Sequence, residues 1–314
     1  MENFVAVMTD RLKLTRPNKR VLTIQSHVVS GYAGNKSAVF PLQLHGFETD
    51  IMNSVQFSNH TAYKNGVRGK RFHSDDIKEL IEGLKLNSLD EYSHILTGYC
   101  GDPAFLNEIG NFLKEQKQKN PDLFFVCDPV LGDDGVGYYT PKELMEVYRD
   151  NVIQYANILT PNAFELRELS GKDCKTIPDY KEAVKYIHEK YGIPMVVVSS
   201  NVPGKADQLT GLTSQKMASG EIEQHLFKVP KLPHSYVGTG DIFASLLLVW
   251  IEDTKDLKES VDKALQSVQA VLKRTYEKAH ASSDTPTAKE KELQLIESRF
   301  DILCPSGHVD FERI

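Results

Sequence analysis

The residues best equipped for chemistry are Val237-Gly238-Thr239-Gly240-Asp241, which run straight into the apolar stretch 242–251. Two glycines let the backbone approach a charged ligand. The first free N–H groups of a following helix, with the positive end of its dipole, then point at that ligand. A carboxylate among anion-binding amides is contradictory if the site only holds phosphate. It makes sense if Asp241 removes a proton from a hydroxyl that attacks the phosphate. The structural alternative is an Asp241 N-cap, worth about 1 kcal/mol, beside a plain glycine turn. Dinucleotide binding is disfavoured, because the third glycine of a G-x-G-x-x-G motif is Phe243 here and the turn follows Pro233-His234-Ser235-Tyr236 rather than a strand. Phosphoryl transfer is the chemistry these residues imply.

Other polar groups fall where apolar runs end. Asp128-Pro129-Val130-Leu131-Gly132-Asp133-Asp134-Gly135 combines carboxylates and glycines, which suits a flap over a phosphate chain and a nearby cation. The alternative there is an ordinary Asp/Gly turn, stronger for Asp134 than for Asp128 or Asp133. In Thr160-Pro161-Asn162-Ala163-Phe164-Glu165, Asn162 and Glu165 have capping-box spacing and equally suit a hydrated Mg²⁺. Ser199-Ser200 places hydroxyls at another strand end, for nucleotide phosphates or for backbone capping. Ser26, His27, Asn53, Ser54, Gln56, Ser58, Asn59, His60 and Thr61 form a set rich in side chains that both donate and accept, suited to a small polar heteroaromatic or sugar.

Apolar strand-like runs at 21–26, 51–55, 94–97, 124–130, 157–159 and 195–199 must position these groups. They alternate with helical segments at 36–44, 75–86, 105–119, 142–155 and 180–191. Such alternation predicts a mainly parallel sheet flanked by helices, with ligands at the carboxyl edge of the strands. Pro41 should bend or start the first helix. Asp102-Pro103 and Thr140-Pro141-Lys142-Glu143 are helix starts. Residues 208–232 read as antiparallel edge strands. The stretch after Asp241 is apolar around most of its circumference and should be buried, while 257–276 is a last helix and 280–291 a polar, mobile loop.

With 314 residues and 40% hydrophobic content the chain can bury a large core, and no composition break divides it. A net charge of −6 disfavours generalised attraction to nucleic acid or an acidic membrane. The apolar stretch at 242–251 is far short of the roughly 20 residues a membrane span needs. Cys100, Cys127, Cys174 and Cys304 lack Cys-x-x-Cys spacing, which fits a reducing cytosol rather than a disulfide framework or zinc site. A cytoplasmic location is the expectation. The basic leader 1–19 reads as a flexible extension and 20–314 as a single domain.

Together these stretches closely resemble the pyridoxal kinases of the ribokinase-like superfamily. Gly238-Thr239-Gly240-Asp241 marks the superfamily. More specific are Gln25-Ser26-His27-Val28 with Gly31-Tyr32 and Gly34-Asn35, Phe40-Pro41-Leu42-Gln43, the run Asn53 through Thr61, Leu96-Thr97-Gly98-Tyr99, Cys127-Asp128-Pro129-Val130-Leu131-Gly132-Asp133, and Thr160-Pro161-Asn162 with Glu165. The resemblance covers about residues 20–275. It implies a three-layer α/β sandwich, usually dimeric, that uses ATP, Mg²⁺ and a monovalent cation such as K⁺ to phosphorylate pyridoxal, pyridoxine and pyridoxamine on the 5′-hydroxyl. By position, Ser26, Thr61 and Tyr99 would contact the vitamer, Asp241 would be the base, and Gly238, Thr239 and Gly240 would form the anion hole. Asp128, Thr160 and Glu165 would sit near the cations. Asp133, Thr160, Asn162, Ser199, Ser200, Gly238 and Thr239 would line the nucleotide side. Two departures stand out: residues 63–69 lack the tryptophan some relatives place against the substrate, with Val67 the nearest equivalent, and the flap 132–140 is shorter than in some relatives.

Two other functions compete. A hydroxymethylpyrimidine or sugar kinase would share the scaffold but not the wording of the pocket between Ser26 and Thr61. A non-catalytic carrier of pyridoxal phosphate would need neither a base nor metal ligands, so Asp241, Asp133 and Glu165 argue against it.

Overall fold

The computed structural model describes residues 2–281 and 284–314. Its strands are β1 (Arg20–Val28), β2 (Glu48–Phe57), β3 (Gly69–Arg71), β4 (His94–Thr97), β5 (Phe124–Cys127), β6 (Gly132–Asp133), β7 (Gly137–Tyr138), β8 (Ile158–Leu159), β9 (Met195–Val202), β10 (Gln208–Lys216), β11 (Ile222–Pro230) and β12 (Asp310–Arg313). Ten of them form one sheet in the order β12-β11-β10-β9-β8-β5-β4-β1-β2-β3, and β6 pairs with β7 as a separate hairpin. The run β9-β8-β5-β4-β1-β2 is parallel throughout. The antiparallel strands expected at 208–232 are β10 and β11, joined at that edge by β12, while β3 closes the other edge.

The helices are α1 (Glu2–Leu12), α2 (Asn35–Leu44), α3 (Ser74–Leu86), α4 (Pro103–Lys119), α5 (Leu144–Val147), α6 (Ala163–Ser170), α7 (Ile177–Tyr191), α8 (Thr239–Thr254), α9 (Leu257–His280) and α10 (Arg299–Leu303). Successive strand residues point to opposite faces, so each inner strand feeds two cores. Phe125 and Cys127 pack with α3, α4, α6 and α7, whereas Val126 packs with α2, α8 and α9. Ile95 and Leu96 divide the same way, as do Val196 and Val197. Burial on both faces is why these strands read as continuous apolar runs rather than alternating ones.

Helix α8 is the centrepiece of the second core. Every residue of 242–251 is buried, among them Trp250, whose ring meets His45 edge-on at 5.2 Å. No helix among the described residues is long and apolar enough to cross a membrane.

Pro41, read as bending or starting the first helix, lies inside α2, and the helix tolerates the lost ladder bond because Ala38, Val39 and Leu42 are buried. Local structure departs from the sequence reading in three places. The segment before Arg20, expected to be flexible, contains α1 and is tied to the end of α8: Arg11 and Arg16 pair with Asp253, the latter at 2.6 Å, and Lys19 pairs with Glu252 at 2.6 Å. The single helix expected at 142–155 is three short pieces, α5 followed by a π-turn (Tyr148–Val152) and a 3₁₀ turn (Ile153–Tyr155). The widened turn carries Asn151, whose Nδ2 donates to Asn107 O at 3.1 Å, Asn107 Oδ1 at 2.9 Å and Asn111 Oδ1 at 3.3 Å on α4. Of the loop expected at 280–291, residues 282–283 lie outside the described residues. Lys291 N bonds Thr287 O at 3.1 Å in a turn that leads to the buried Leu293.

Gly110 on α4 is what admits this close approach, since a Cβ there would stand 2.3 Å from Asn151 O. In an ordinary helix, glycine to alanine gains about 1 kcal/mol. Gly110→Ala should instead destabilise the fold by roughly 1–3 kcal/mol, because backbone on a second element must move. Denaturant unfolding of both proteins tests this, and a stabilised variant would refute it.

Candidate active site

The parallel strands end together, and the loops that follow them meet the amino end of α8. Gly238 caps that helix in the left-handed region (φ 88°), and a Cβ there would lie 2.6 Å from Tyr32 O and 2.8 Å from Ser37 Oγ. Only glycine fits both the torsion and the space. The first rung of the helix is Ile242 N to Gly238 O at 3.1 Å, so the amides ahead of it have no partner within α8.

Asp241 does not cap α8, which has no side-chain cap bond. Its Oδ2 instead accepts from Gly34 N at 2.6 Å. Burial pushes its carboxyl up to about 6, with the Gly34 bond opposing. Asp128, at the end of β5, accepts from Thr160 Oγ1 at 3.1 Å, and its Oδ2 lies 3.7 Å from where a Cβ would stand on Gly240. Burial, and then the charge of Asp241, push Asp128 up to about 7.

Asn162 and Glu165 form the capping box their spacing predicts. Asn162 Oδ1 accepts from Glu165 N and Glu165 Oε2 accepts from Asn162 N, both at 2.9 Å. The same residues hold the base of the flap. Glu165 Oε1 accepts from Leu131 N at 2.9 Å, and Asn162 Nδ2 donates to Gly132 O at 2.8 Å. Burial, and then Asp128, raise the Glu165 carboxyl well above its ordinary range, against the pull of its N–H donors. The flap is the hairpin β6–β7. Asp133 accepts from Asn201 Nδ2 at 3.1 Å, Asp134 pairs with Arg167, and Tyr138 packs edge-on against Phe164 at 5.1 Å.

On the other side, the β1–β2 pairing shifts by one residue between Gln25 and Ser26. A shift of this kind re-aims the side chains that follow it. Tyr99 is held through its carbonyl by Ser54 Oγ at 2.6 Å, and its hydroxyl accepts from Arg71 at 3.1 Å. Where a substrate tryptophan is missing, Val67 packs with Tyr99 and Val237 against Val28, Ala33, Val55 and Phe57 in an apolar cluster.

All of Ser26, Thr61, Tyr99, Asp128, Asp133, Thr160, Asn162, Glu165, Ser199, Ser200, Gly238, Thr239, Gly240 and Asp241 line one cavity of about 760 Å³. Other members of the polar set serve the fold. Asn53 receives Asn35 Nδ2 at 2.8 Å and Gln56 bonds His27 at 3.0 Å. Sequence reasoning missed the Gly34 amide, which carries no side-chain signal. It also missed the apolar end of the cavity, where Leu265, Val268 and Leu272 of α9 face Phe243 and Leu232. Their helical spacing read as packing alone. A groove of about 830 Å³ near Arg20, Asp50 and Tyr92 holds none of these groups.

A carboxylate beside unpartnered helix amides, in a cavity with one polar and one apolar end, is an arrangement for moving a phosphoryl group to an alcohol. Comparison with known proteins narrows the alcohol. The phosphomethylpyrimidine kinase family model matches residues 89–286. The chain is 42% identical to pyridoxal kinase of Bos taurus over 302 residues, covering 91% of this chain and 96% of that one. The chain belongs to the pyridoxal kinase family. The Arabidopsis thaliana pyridoxal kinase is 41% identical over 303 residues, covering 96% and 97% of the two chains. The structure of Leishmania donovani pyridoxal kinase with ADP and pyridoxamine superposes with a TM-score of 0.86 at 34% identity, over 94% of this chain and 99% of that one. The three-layer ribokinase-like fold and ATP-dependent phosphorylation of B6 vitamers follow for this kinase.

Among the described residues no three His, Cys, Asp or Glu side chains form a ready chelate. The donors present still fit a hydrated divalent cation. Asp128 keeps an oxygen facing Gly240, and a Mg²⁺-like ion commonly takes one or two carboxylates and completes its shell from water and substrate phosphates.

The raised carboxyls also set a pH dependence. Folded Asp128 and Asp241 hold protons that the unfolded chain, with carboxyls near 3.8, has already released. Their contribution to stability therefore falls as pH rises from about 4 to about 7. Asp128→Asn should raise the melting temperature of the ligand-free protein more at pH 8 than at pH 5. An equal shift at both pH values would count against a raised Asp128.

Proposed function

We propose that Asp241 is the general base of this kinase and that the amides of Gly238, Thr239 and Gly240 form its anion hole. The observation that supports this best is that Asp241 sits in the first turn of α8 without capping it, held by Gly34 N, in the same cavity as Ser26, Thr61 and Tyr99. The 5′-hydroxyl oxygen of pyridoxal attacks the γ-phosphorus of ATP in line while its proton passes to the Asp241 carboxylate. The bond to the β-phosphate oxygen breaks, and ADP leaves. The α8 amides bear the charge on the transferring oxygens, fixed in place before the reaction begins.

Ser26, Thr61 and Tyr99 orient the vitamer, with the cavity-lining Val28, Ala33 and Phe57 on its ring. Asp133, Thr160, Asn162, Ser199, Ser200 and Thr239 take the nucleotide, whose adenine suits the apolar end at Leu265 and Val268. Asp128, Thr160 and Glu165 would hold Mg²⁺, directly or through water. That cation, when bound, neutralises phosphate charge. Activation by K⁺ and a homodimer complete the proposal and rest on the resemblance alone, and a cytoplasmic location rests on the cysteine pattern.

Loss of a general base costs about 10²–10⁴-fold in rate. Asp241→Asn should lose that much in kcat while ATP affinity stays near wild type. The folded pKa near 6 adds a sign: wild-type kcat/KM should climb tenfold per pH unit below about 6 and level above it. Steady-state formation of pyridoxal phosphate across pH 5–8, with hydroxymethylpyrimidine and ribose as competing acceptors, tests base and substrate together. Near-normal turnover in the variant would remove Asp241 from the mechanism.

A further inference from the structure

Glu292 lies 51 residues beyond Asp241 in sequence, in the polar segment after α9, yet it reaches the substrate side of the site. Its carboxylate is only 13% exposed and accepts three bonds: from Tyr32 N at 2.8 Å, from Tyr63 Oη at 2.9 Å and from His60 Nε2 at 3.1 Å. His60 is 7% exposed, and its Nδ1 accepts from Ala62 N at 3.3 Å. The imidazole proton therefore sits on Nε2 and is given to Glu292. The His60 and Tyr63 rings pack at 4.8 Å.

These donors belong to two loops that do not otherwise share a side-chain anchor of this kind. One carries Thr61 between His60 and Ala62. The other carries Tyr32, whose carbonyl abuts Gly238, and two residues later Gly34, whose amide holds Asp241. The next residue, Leu293, is buried with its Cδ1 3.1 Å from where a Cβ would stand on Gly238. Glu292 itself does not line the cavity, whereas His60 and Thr61 do.

We propose that Glu292 is a positioning residue for the B6 vitamer, fastening the Thr61 loop to the Tyr32 loop so that the pocket is preformed before substrate binds. The proposal rests on the reading of Ser26, Thr61 and Tyr99 as the vitamer side. Three donors on one part-buried carboxylate are worth more than neutral bonds, and all three are lost together when the acceptor goes. Of the nucleotide-side residues, Asp133, Thr160, Asn162, Ser199 and Ser200 lie on the flap, after β8 and on β9, and on neither of these loops, so the effect falls first on the vitamer.

The test compares wild type with Glu292→Gln and Glu292→Ala. KM for pyridoxal should rise about tenfold in the glutamine variant and more in the alanine variant, as loss of a charge-assisted bond implies. KM for ATP and kcat should stay within about threefold. Equilibrium dialysis with pyridoxal should show the same rise in Kd. Tyr63→Phe should weaken pyridoxal binding alone but add little in the Glu292→Gln background. Unchanged pyridoxal Kd in Glu292→Gln, or an equal rise in KM for ATP, would overturn the proposal. If Glu292→Ala does not fold, the near-isosteric glutamine variant and the Tyr63 cycle still decide. Wild-type protein that binds pyridoxal without phosphorylating it would refute the kinase reading, while dialysis would still report on Glu292.

Discussion

Helix α8 has no face left for solvent along residues 242–251, and so its direction is set by packing rather than by any contact at its tip. Its axis is held between the sheet and the helices α2 and α9, and its far end is tied by Asp253 and Glu252 to the segment that precedes β1. The free amides at the start of a helix can only be as rigid as the helix that carries them. Here that rigidity comes from the largest hydrophobic element of the fold. Gly238 then turns the chain so that the free amides and Asp241 emerge on the same side.

The site works against the stability of the fold that carries it. Asp128, Asp241 and Glu165 are carboxyls taken out of water near one another, each displaced upward by burial. In the ligand-free protein this is unfavourable at neutral pH, as strained and charged functional sites generally are. Glu165 shows how such a group is retained. Its oxygens are occupied by the amides of Asn162 and Leu131, so that one carboxylate starts α6 and also fixes the hinge of the flap.

Residues far apart in sequence meet at each critical point. Gly34 holds Asp241, Asn201 holds Asp133, and Glu292 gathers Tyr32, His60 and Tyr63. The loops of the site are therefore cross-braced by single side chains as well as by backbone bonds such as Ser30 N to Ser58 O.

Much of this was legible in the chain itself. The alternation of apolar runs and capped helices specified a parallel sheet with antiparallel edges, because periodicity and end signals are local properties. The glycine-flanked Asp241 and the polar ends of the runs at 128, 160 and 199 pointed to residues that line one cavity, since parallel strands must deliver their carboxyl ends to one edge. Local signals did not determine whether Asp241 caps its helix or faces the cavity. They could not show that Gly34 N is its partner, that Val67 belongs to an apolar cluster, or that the residues after α9 return to the Tyr32 and His60 loops through Glu292. Nor did they show the π-turn at Tyr148–Val152, which is held by acceptors on α4. Each of these depends on backbone amides or on side chains brought together over scores to hundreds of positions. Tertiary packing alone decides them, because a backbone N–H carries no mark in the sequence and a carboxylate in a polar stretch looks the same whether it faces water or three donors.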